Sequence, residues 1–312
     1  MPAVLTLVVG SGGQLGARLV AALRAGGASV ATASRSSAAD WKLDVNDRLA
    51  ARELLLRLRP AVVVHLAGVA TSPGLLGGGD DAFLVNSVGF ANAFGAATDA
   101  GCARVVLASS ASVYGQPSTR RALTELDSLV PESAYGRSKV AAERVCADAP
   151  AGAPQSIVFR FPPVYAPDWI RNLRVRAYVP GLERRVLLNF VGDQPAYSLC
   201  DVSNAVDAIR AAVDDRLASG VYNVADARAY AHDEVRGVVS ALDGVTRAVS
   251  IPVGAARGAG EMFGRLLPGA LGRALRENVR KLASGLVLDT SKLAAAGVSP
   301  SRALGDLLAG KS

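Results

Sequence analysis

A-V-L-T-L-V-V (Ala3–Val9) followed by G-S-G-G-Q-L-G (Gly10–Gly16) is the stretch that decides the fold. An apolar, β-branched run of this length reads as a strand buried on both faces. The glycines break it. A helical pattern then runs through Leu19, Val20, Ala22 and Leu23 and stops at Gly26-Gly27, and Ala28 to Ala33 is a second strand. Strand, glycine turn, helix and strand make a β-α-β unit. Gly10 permits the tight turn, Gly13 lets the backbone approach a pyrophosphate, and Gly16 lets the helix sit close on the strand. The N-terminus of that helix, at Gln14 and Leu15, offers free N–H groups to phosphates. The unit therefore reads as dinucleotide-binding, with the spacing G-x-x-G-x-x-G rather than G-x-G-x-x-G.

Outward from this unit, the end of the second strand bears on cofactor choice. A carboxylate there would hold the adenosine ribose and repel a 2′-phosphate. Ser34-Arg35-Ser36 stands there instead, and an arginine beside hydroxyls suits NADP over NAD. Asp44 is positioned to accept from an adenine amino group, and Asp47 or Asn46 is the expected N-cap of a helix over Arg48–Leu58. Ala61–Leu66 is a further buried strand, ending at Ala67-Gly68, where small residues admit a cofactor. His65 is expected to pack within the sheet. The glycine-rich loop Thr71–Asp81 is expected to border the substrate. A helix over Ala82–Ala100 carries Asn86, and a strand at Val105–Ala108 runs into Ser109-Ser110-Ala111-Ser112-Val113-Tyr114-Gly115.

Ligands of open parallel sheets lie outside the carboxyl ends of the strands, so Ser110 is placed to hydrogen-bond a reacting oxygen. Pro131-Glu132-Ser133 then starts a helix holding Tyr135 and Lys139. Four residues apart, they share a helix face, and an ammonium near a phenol favours the phenolate. Such a pair can move a proton to or from an alcohol or carbonyl. A strand at Ser156–Arg160 is followed by Phe161-Pro162-Pro163-Val164-Tyr165, whose prolines stiffen a turn suited to wall a nicotinamide.

The composition agrees with α/β layering: half of the 312 residues are hydrophobic but aromatics are few, so small residues fill the core. The net charge of +7 comes mostly from scattered arginines, which argues for a small anionic ligand and against nucleic acid. Cys102, Cys146 and Cys200 are isolated, and His65 and His232 are the only histidines, so no metal site and a reducing compartment are expected. Charges and glycines interrupt every apolar run, which reads as a cytoplasmic protein without a membrane span.

Taken in order, Gly10-x-x-Gly13-x-x-Gly16, Asp44-Val45, His65-Leu66-Ala67-Gly68, Ser109 to Gly115, Tyr135-x-x-x-Lys139 and Arg160-Phe161-Pro162-Pro163-Val164-Tyr165 resemble the motifs of the extended short-chain dehydrogenase/reductases, the NAD(P)-dependent epimerase/dehydratase group. The likeness continues through Tyr197 to Val202, Gly220 to Val224 and Asp289 to Pro300. It implies an α/β fold: a Rossmann-type doubly wound parallel sheet (1–165 plus about 196–225) interleaved with a smaller substrate-binding domain (166–195 plus 226–312). It also implies that Tyr135 is the general acid/base, that Lys139 binds the nicotinamide ribose and lowers the Tyr135 pKa, and that Ser110 is the third member. Ser109 and Ser112 fit that role less well. Gly10, Gly13, Gln14, Leu15, Gly16, Ser34, Arg35, Asp44, Val45, Leu66, Ala67, Gly68, Tyr135, Lys139, Pro162 and Val164 would border NADP or NAD. Ser110, Ser112 and Asn172 would meet the substrate, and Asn86 would be structural. A homodimer is expected.

Two departures bear on substrate. Gly192-Asp193-Gln194-Pro195-Ala196 lacks the arginine with which nucleotide-sugar members bind a diphosphate, although Asn172-Leu173 resembles a pair that they use near the phosphates. Ala111 and Ser112 stand where sugar dehydratases carry an acid pair, which disfavours dehydration. The expected activity is hydride transfer on a secondary alcohol or ketone, most simply of a nucleotide sugar. The alternatives are an NADP-dependent ketoreductase of a non-sugar substrate and a non-catalytic NADP-binding protein.

Overall fold

The expected β-α-β unit is present in the computed structural model, which describes residues 4–69, 82–116, 121–179, 182, 184–266 and 269–309. β1 (Leu5–Val9) leads through the glycine turn to α1 (Gln14–Ala25), β2 (Ser29–Ser34) and a short β3 (Trp41–Lys42). α2 (Arg48–Leu58), β4 (Val62–His65), a π-helical turn (Leu84–Val88), α3 (Gly89–Asp99), β5 (Arg104–Ser110), α4 (Ala134–Ala147) and β6 (Gln155–Phe161) follow. Next come β7 (Val164–Tyr165), α5 (Arg171–Ala177), β8 (Leu187–Val191), β9 (Ala196–Tyr197), β10 (Cys200–Asp201), α6 (Val202–Val213) and β11 (Gly220–Asn223). The chain continues with β12 (Tyr230–Ala231), α7 (His232–Asp243), β13 (Ala248–Pro252), α8 (Val253–Leu266), α9 (Gly269–Ser284), α10 (Ser291–Ala295) and α11 (Asp306–Ala309).

Seven strands pair in the order β11-β6-β5-β4-β1-β2-β3, all parallel. The winding reverses between β1 and β4, and a ligand cleft opens past the carboxyl ends at such a point. Alternation along each strand feeds two cores. Val8 and Val64 face Leu19 and Leu23 of α1 and Ile209 of α6, while Leu7, Val9 and Val63 face Leu54 and Leu55 of α2 and Phe90 of α3. Side-chain caps set three helix starts: Asp47 accepts from Ala50 N, Ser133 from Gly136 N and Asp201 from Ser203 N. Each such cap contributes about 1 kcal/mol.

A third core lies beyond β6. Tyr165, Leu173, Tyr178, Leu187, Tyr197, Tyr230 and Val235 pack together, and the two-stranded pairings β7–β10, β9–β12 and β8–β13 border them. A buried acid ties this core to the sheet side. Asp226 accepts from Tyr165 (2.7 Å), Tyr230 (3.1 Å), Asn204 Nδ2 (2.7 Å) and Asp201 N (2.7 Å). Four donors make burial of that carboxyl tolerable. Among the described residues, no helix is long and apolar enough to cross a membrane.

The helix expected over 82–100 differs in one respect. Its first turns are π-helical, and that bulge turns Asn86 inward, where it is buried.

Candidate functional site

The glycine turn is built as a phosphate cradle. Gly10 has φ +88°, and a Cβ there would overlap the backbone of Ala67 at the end of β4. A Cβ on Gly16 would overlap the Gly10 carbonyl, so only glycine lets α1 start this close to β1. No side chain caps α1, whose N-cap is Gly13, and no acid sits in its first turn. Its N-terminal N–H groups and dipole are thus available to an anion, and the residues present fit a dinucleotide pyrophosphate. Ser34 and Ser36 abut this turn: a Cβ on Gly12 would lie 3.4 Å from Ser34 Oγ, while Arg35 is exposed beside them. Asp44 is exposed, with Oδ1 accepting from Asn46 N (3.0 Å). The Val45 side chain is buried in the core, so only its backbone remains for a ligand.

Past the strand ends lies a cleft of about 490 Å³. Leu15, Leu66, Gly68, Pro162 and Val164 line one part of it, and Ser110, Ser112, Tyr135 and Lys139 another. The strand ends thus bring the expected trio together. Ser110 ends β5, where its Oγ accepts from Ser112 N (3.1 Å) and donates to Ser112 Oγ (3.2 Å). It also lies beside Tyr135 in the cleft.

One electrostatic expectation is corrected. The Tyr135 pKa is raised and not lowered: burial raises it, and Ser110 beside it only partly opposes that. Lys139 Nζ donates to the Ala108 carbonyl (2.8 Å) and lies 5.8 Å from the Tyr135 ring centre. Burial lowers the Lys139 pKa to about 8, against the opposing pull of Glu143.

Glu143 belongs to a buried network that the motifs did not announce. It lies four residues after Lys139 on α4, and its carboxylate accepts from Arg160 Nη2 (2.7 Å), Arg160 Nε (3.1 Å) and Ser109 Oγ. Arg160 Nη1 also donates to Tyr114 Oη (2.9 Å), and Tyr114 donates to Asn223 Oδ1 (2.8 Å). Helix α4 is therefore bolted to β5, β6 and β11. Asn86 anchors it from the other side: its Nδ2 donates to Ser138 Oγ (3.0 Å) and to Val69 O (3.0 Å), and its Oδ1 accepts from Val69 N (2.8 Å). His65 is packed in the sheet as expected, edge-on to Phe90. The Ala67 backbone approaches it without a well-formed hydrogen bond, and burial, then the Lys139 charge, lower its pKa to about 3.

The opposite wall comes from the third core. Asn172 lines the cleft, with Nδ2 donating to Val164 O (2.8 Å), and so do Arg171 and Arg176 of the same helix. Other arginines of the C-terminal half are engaged elsewhere: Arg174 pairs with Asp243, Arg280 with Glu261 and Glu132, and Arg257 with the Ala283 carbonyl. The loop expected to border the substrate, 71–81, lies outside the described residues. Nothing in the sequence sets Arg176 apart from the other arginines; Glu143 has a signal, its i,i+4 spacing from Lys139.

Residues 6–225 match the model of the NAD dependent epimerase/dehydratase family. A dTDP-4-keto-6-deoxy-D-glucose reductase of Streptomyces niveus is 34% identical over 142 residues, 46% of this chain and 47% of that protein. This match thus spans about half the length of that relative. Among solved structures, UDP-glucose 4-epimerase of Thermus thermophilus in complex with NAD is similar with a TM-score of 0.73 at 20% identity, covering 96% of this chain and 94% of that one. The dTDP-4-dehydrorhamnose reductase of Bacillus anthracis in complex with NADP has a TM-score of 0.73 at 16% identity, covering 99% and 98%. At those identities the likeness speaks for the fold. With a family model matched over most of its length, this chain belongs to the NAD dependent epimerase/dehydratase family.

Proposed function

We propose that this protein is an NAD(P)-dependent oxidoreductase acting on the ketone or secondary alcohol of a nucleotide sugar, as a reductase using NADP before an epimerase. The observation that carries the reading is the meeting of Ser110, Tyr135 and Lys139 in one cleft with the glycine turn's Leu15. A non-catalytic binding protein has no use for that trio. When bound, the nicotinamide supplies or accepts hydride. Tyr135 moves the proton: its raised pKa keeps the phenol protonated at neutral pH, which suits delivery of a proton to a ketone oxygen. Ser110 donates to that oxygen as charge develops on it. Lys139 would hold the nicotinamide ribose. Gly10, Gly13, Gln14 and Gly16 would hold the pyrophosphate, and Asp44 with the Val45 backbone the adenine.

Dehydration is disfavoured because no carboxylate lines the cleft among the described residues. The relative from Streptomyces niveus and the Ser34-Arg35-Ser36 turn support reduction with NADP. We read 166–195 with 226–312 as the substrate-binding part. The test is purified protein with NADPH and a dTDP-4-keto-6-deoxyhexose, followed by loss of nicotinamide absorbance, alongside UDP-glucose assayed for UDP-galactose. Oxidation of NADPH with formation of a dTDP-deoxysugar alcohol is expected. Interconversion of the UDP-sugars without net NADPH oxidation would make it an epimerase, and inertness toward both would overturn the nucleotide-sugar reading.

A further inference from the structure

The charge balance of the cleft is one-sided. Lys139, Arg171 and Arg176 line it, and no aspartate or glutamate does among the described residues. Lys139 belongs to the catalytic end. Arg176 stands on α5, in the wall made by the third core, where burial disfavours its charged form. Its Nη1 donates to the Asn172 carbonyl (2.9 Å), and its guanidinium lies 5.7 Å from the Tyr197 ring centre. Its Nε is buried with no partner, and no described carboxylate pairs with it. Contrast Arg174, two residues away, which Asp243 neutralises with both carboxylate oxygens (2.9 and 2.6 Å).

A guanidinium taken partly out of water and left without an acid is costly unless something anionic completes it. A planar fork of N–H donors matches a phosphate. Gln116 also lines the cleft and has a buried Oε1 without a partner, an acceptor left for a ligand hydroxyl. The segment 192–196, the place expected to carry a phosphate-binding arginine, contains none. We infer that Arg176 is the residue that binds the substrate's diphosphate, so that the anion subsite of this chain is carried by α5 and not by the segment before β9. This rests on the nucleotide-sugar reading for the diphosphate's identity, but not for its charge.

The test is calorimetric titration of the full chain, saturated with NADP so that the glycine turn is filled, with UDP, dTDP and inorganic pyrophosphate. Arg176→Met and Arg176→Lys are compared with the wild type, and NADP affinity and melting temperature serve as folding controls. One nucleoside diphosphate should bind the wild type, and Arg176→Met should weaken it by about tenfold or more, the usual loss for a hydrogen bond to a charged group. Arg176→Lys should recover part of the loss. Pyrophosphate bound in an Arg176-dependent way, without any preference for a nucleoside diphosphate, would keep the subsite and remove the nucleotide-sugar reading. Unchanged UDP or dTDP affinity in a folded Arg176→Met protein would overturn the subsite and leave that reading standing. No binding of any probe to the wild type would overturn both.

Discussion

The two walls of the cleft treat charge in opposite ways. On the α4 side, Glu143 and Arg160 are both buried; Glu143 accepts from Arg160 of β6 and Ser109 of β5, and Arg160 donates also to Tyr114 and the Glu125 carbonyl. On the substrate side, Arg176 is half-buried and has no described acid. The first arrangement is what a rigid scaffold needs: a buried pair, once formed, is expensive to break, and it holds α4 against the sheet. The second is what a ligand needs, since a cation already neutralised by the protein has little left for a substrate. Arg174, half-buried like Arg176 but paired with Asp243, teaches that partners and not depth tell the two kinds of arginine apart.

The sharpest way to test the catalytic wall is Tyr135→Phe, which should cut kcat by roughly 10²–10⁴-fold while leaving NADP affinity unchanged. Turnover near the wild-type level would remove Tyr135 from the chemistry. Next in size, Glu143→Ala should destabilise the protein by about 3–5 kcal/mol, because it leaves Arg160 buried and unpaired. Urea denaturation measures it, and an equal loss in Arg176→Met would erase the contrast between the walls.

A smaller effect comes from Lys139. Its folded pKa is about 8 against 10.5 for the free side chain, so the unfolded chain holds the extra proton between those values and stability rises with pH there. Lys139→Met lacks this contribution. It should melt higher than the cofactor-free wild type at pH 7, and the gap should narrow as pH rises from 8 toward 10.5. A gap constant with pH would mean that Lys139 is not strained by burial. The smallest change is expected at the cofactor's far end, where Arg35→Ala should shift the NADPH-to-NADH affinity ratio by about tenfold toward NADH. No shift would return the choice of cofactor to the open.

What was legible in the sequence was local. The glycine turn, the Tyr135–Lys139 spacing and the helix starts at Asp47 and Ser133 each depend on residues within a few positions, and short-range geometry fixes them. Even the position of Ser110 followed from its place at a strand end. Illegible were the properties set by distant neighbours. The balance between burial and charge at Tyr135 depends on where Nζ of Lys139 settles, and that is decided by the Ala108 carbonyl on β5. Arg176 and Arg174 are nearly adjacent on one short helix, yet only the fold puts Asp243 beside one and an open cleft beside the other.

Asn86 has a consequence of a different order. By pairing with both the N–H and the carbonyl of Val69, its side-chain amide does for one residue what a neighbouring strand does for a whole edge. The chain after β4 is therefore tied off at Val69 by a group that also grips Ser138 of α4. Loss of that one amide would therefore free the backbone at Val69 and the Ser138 contact of α4 in a single change.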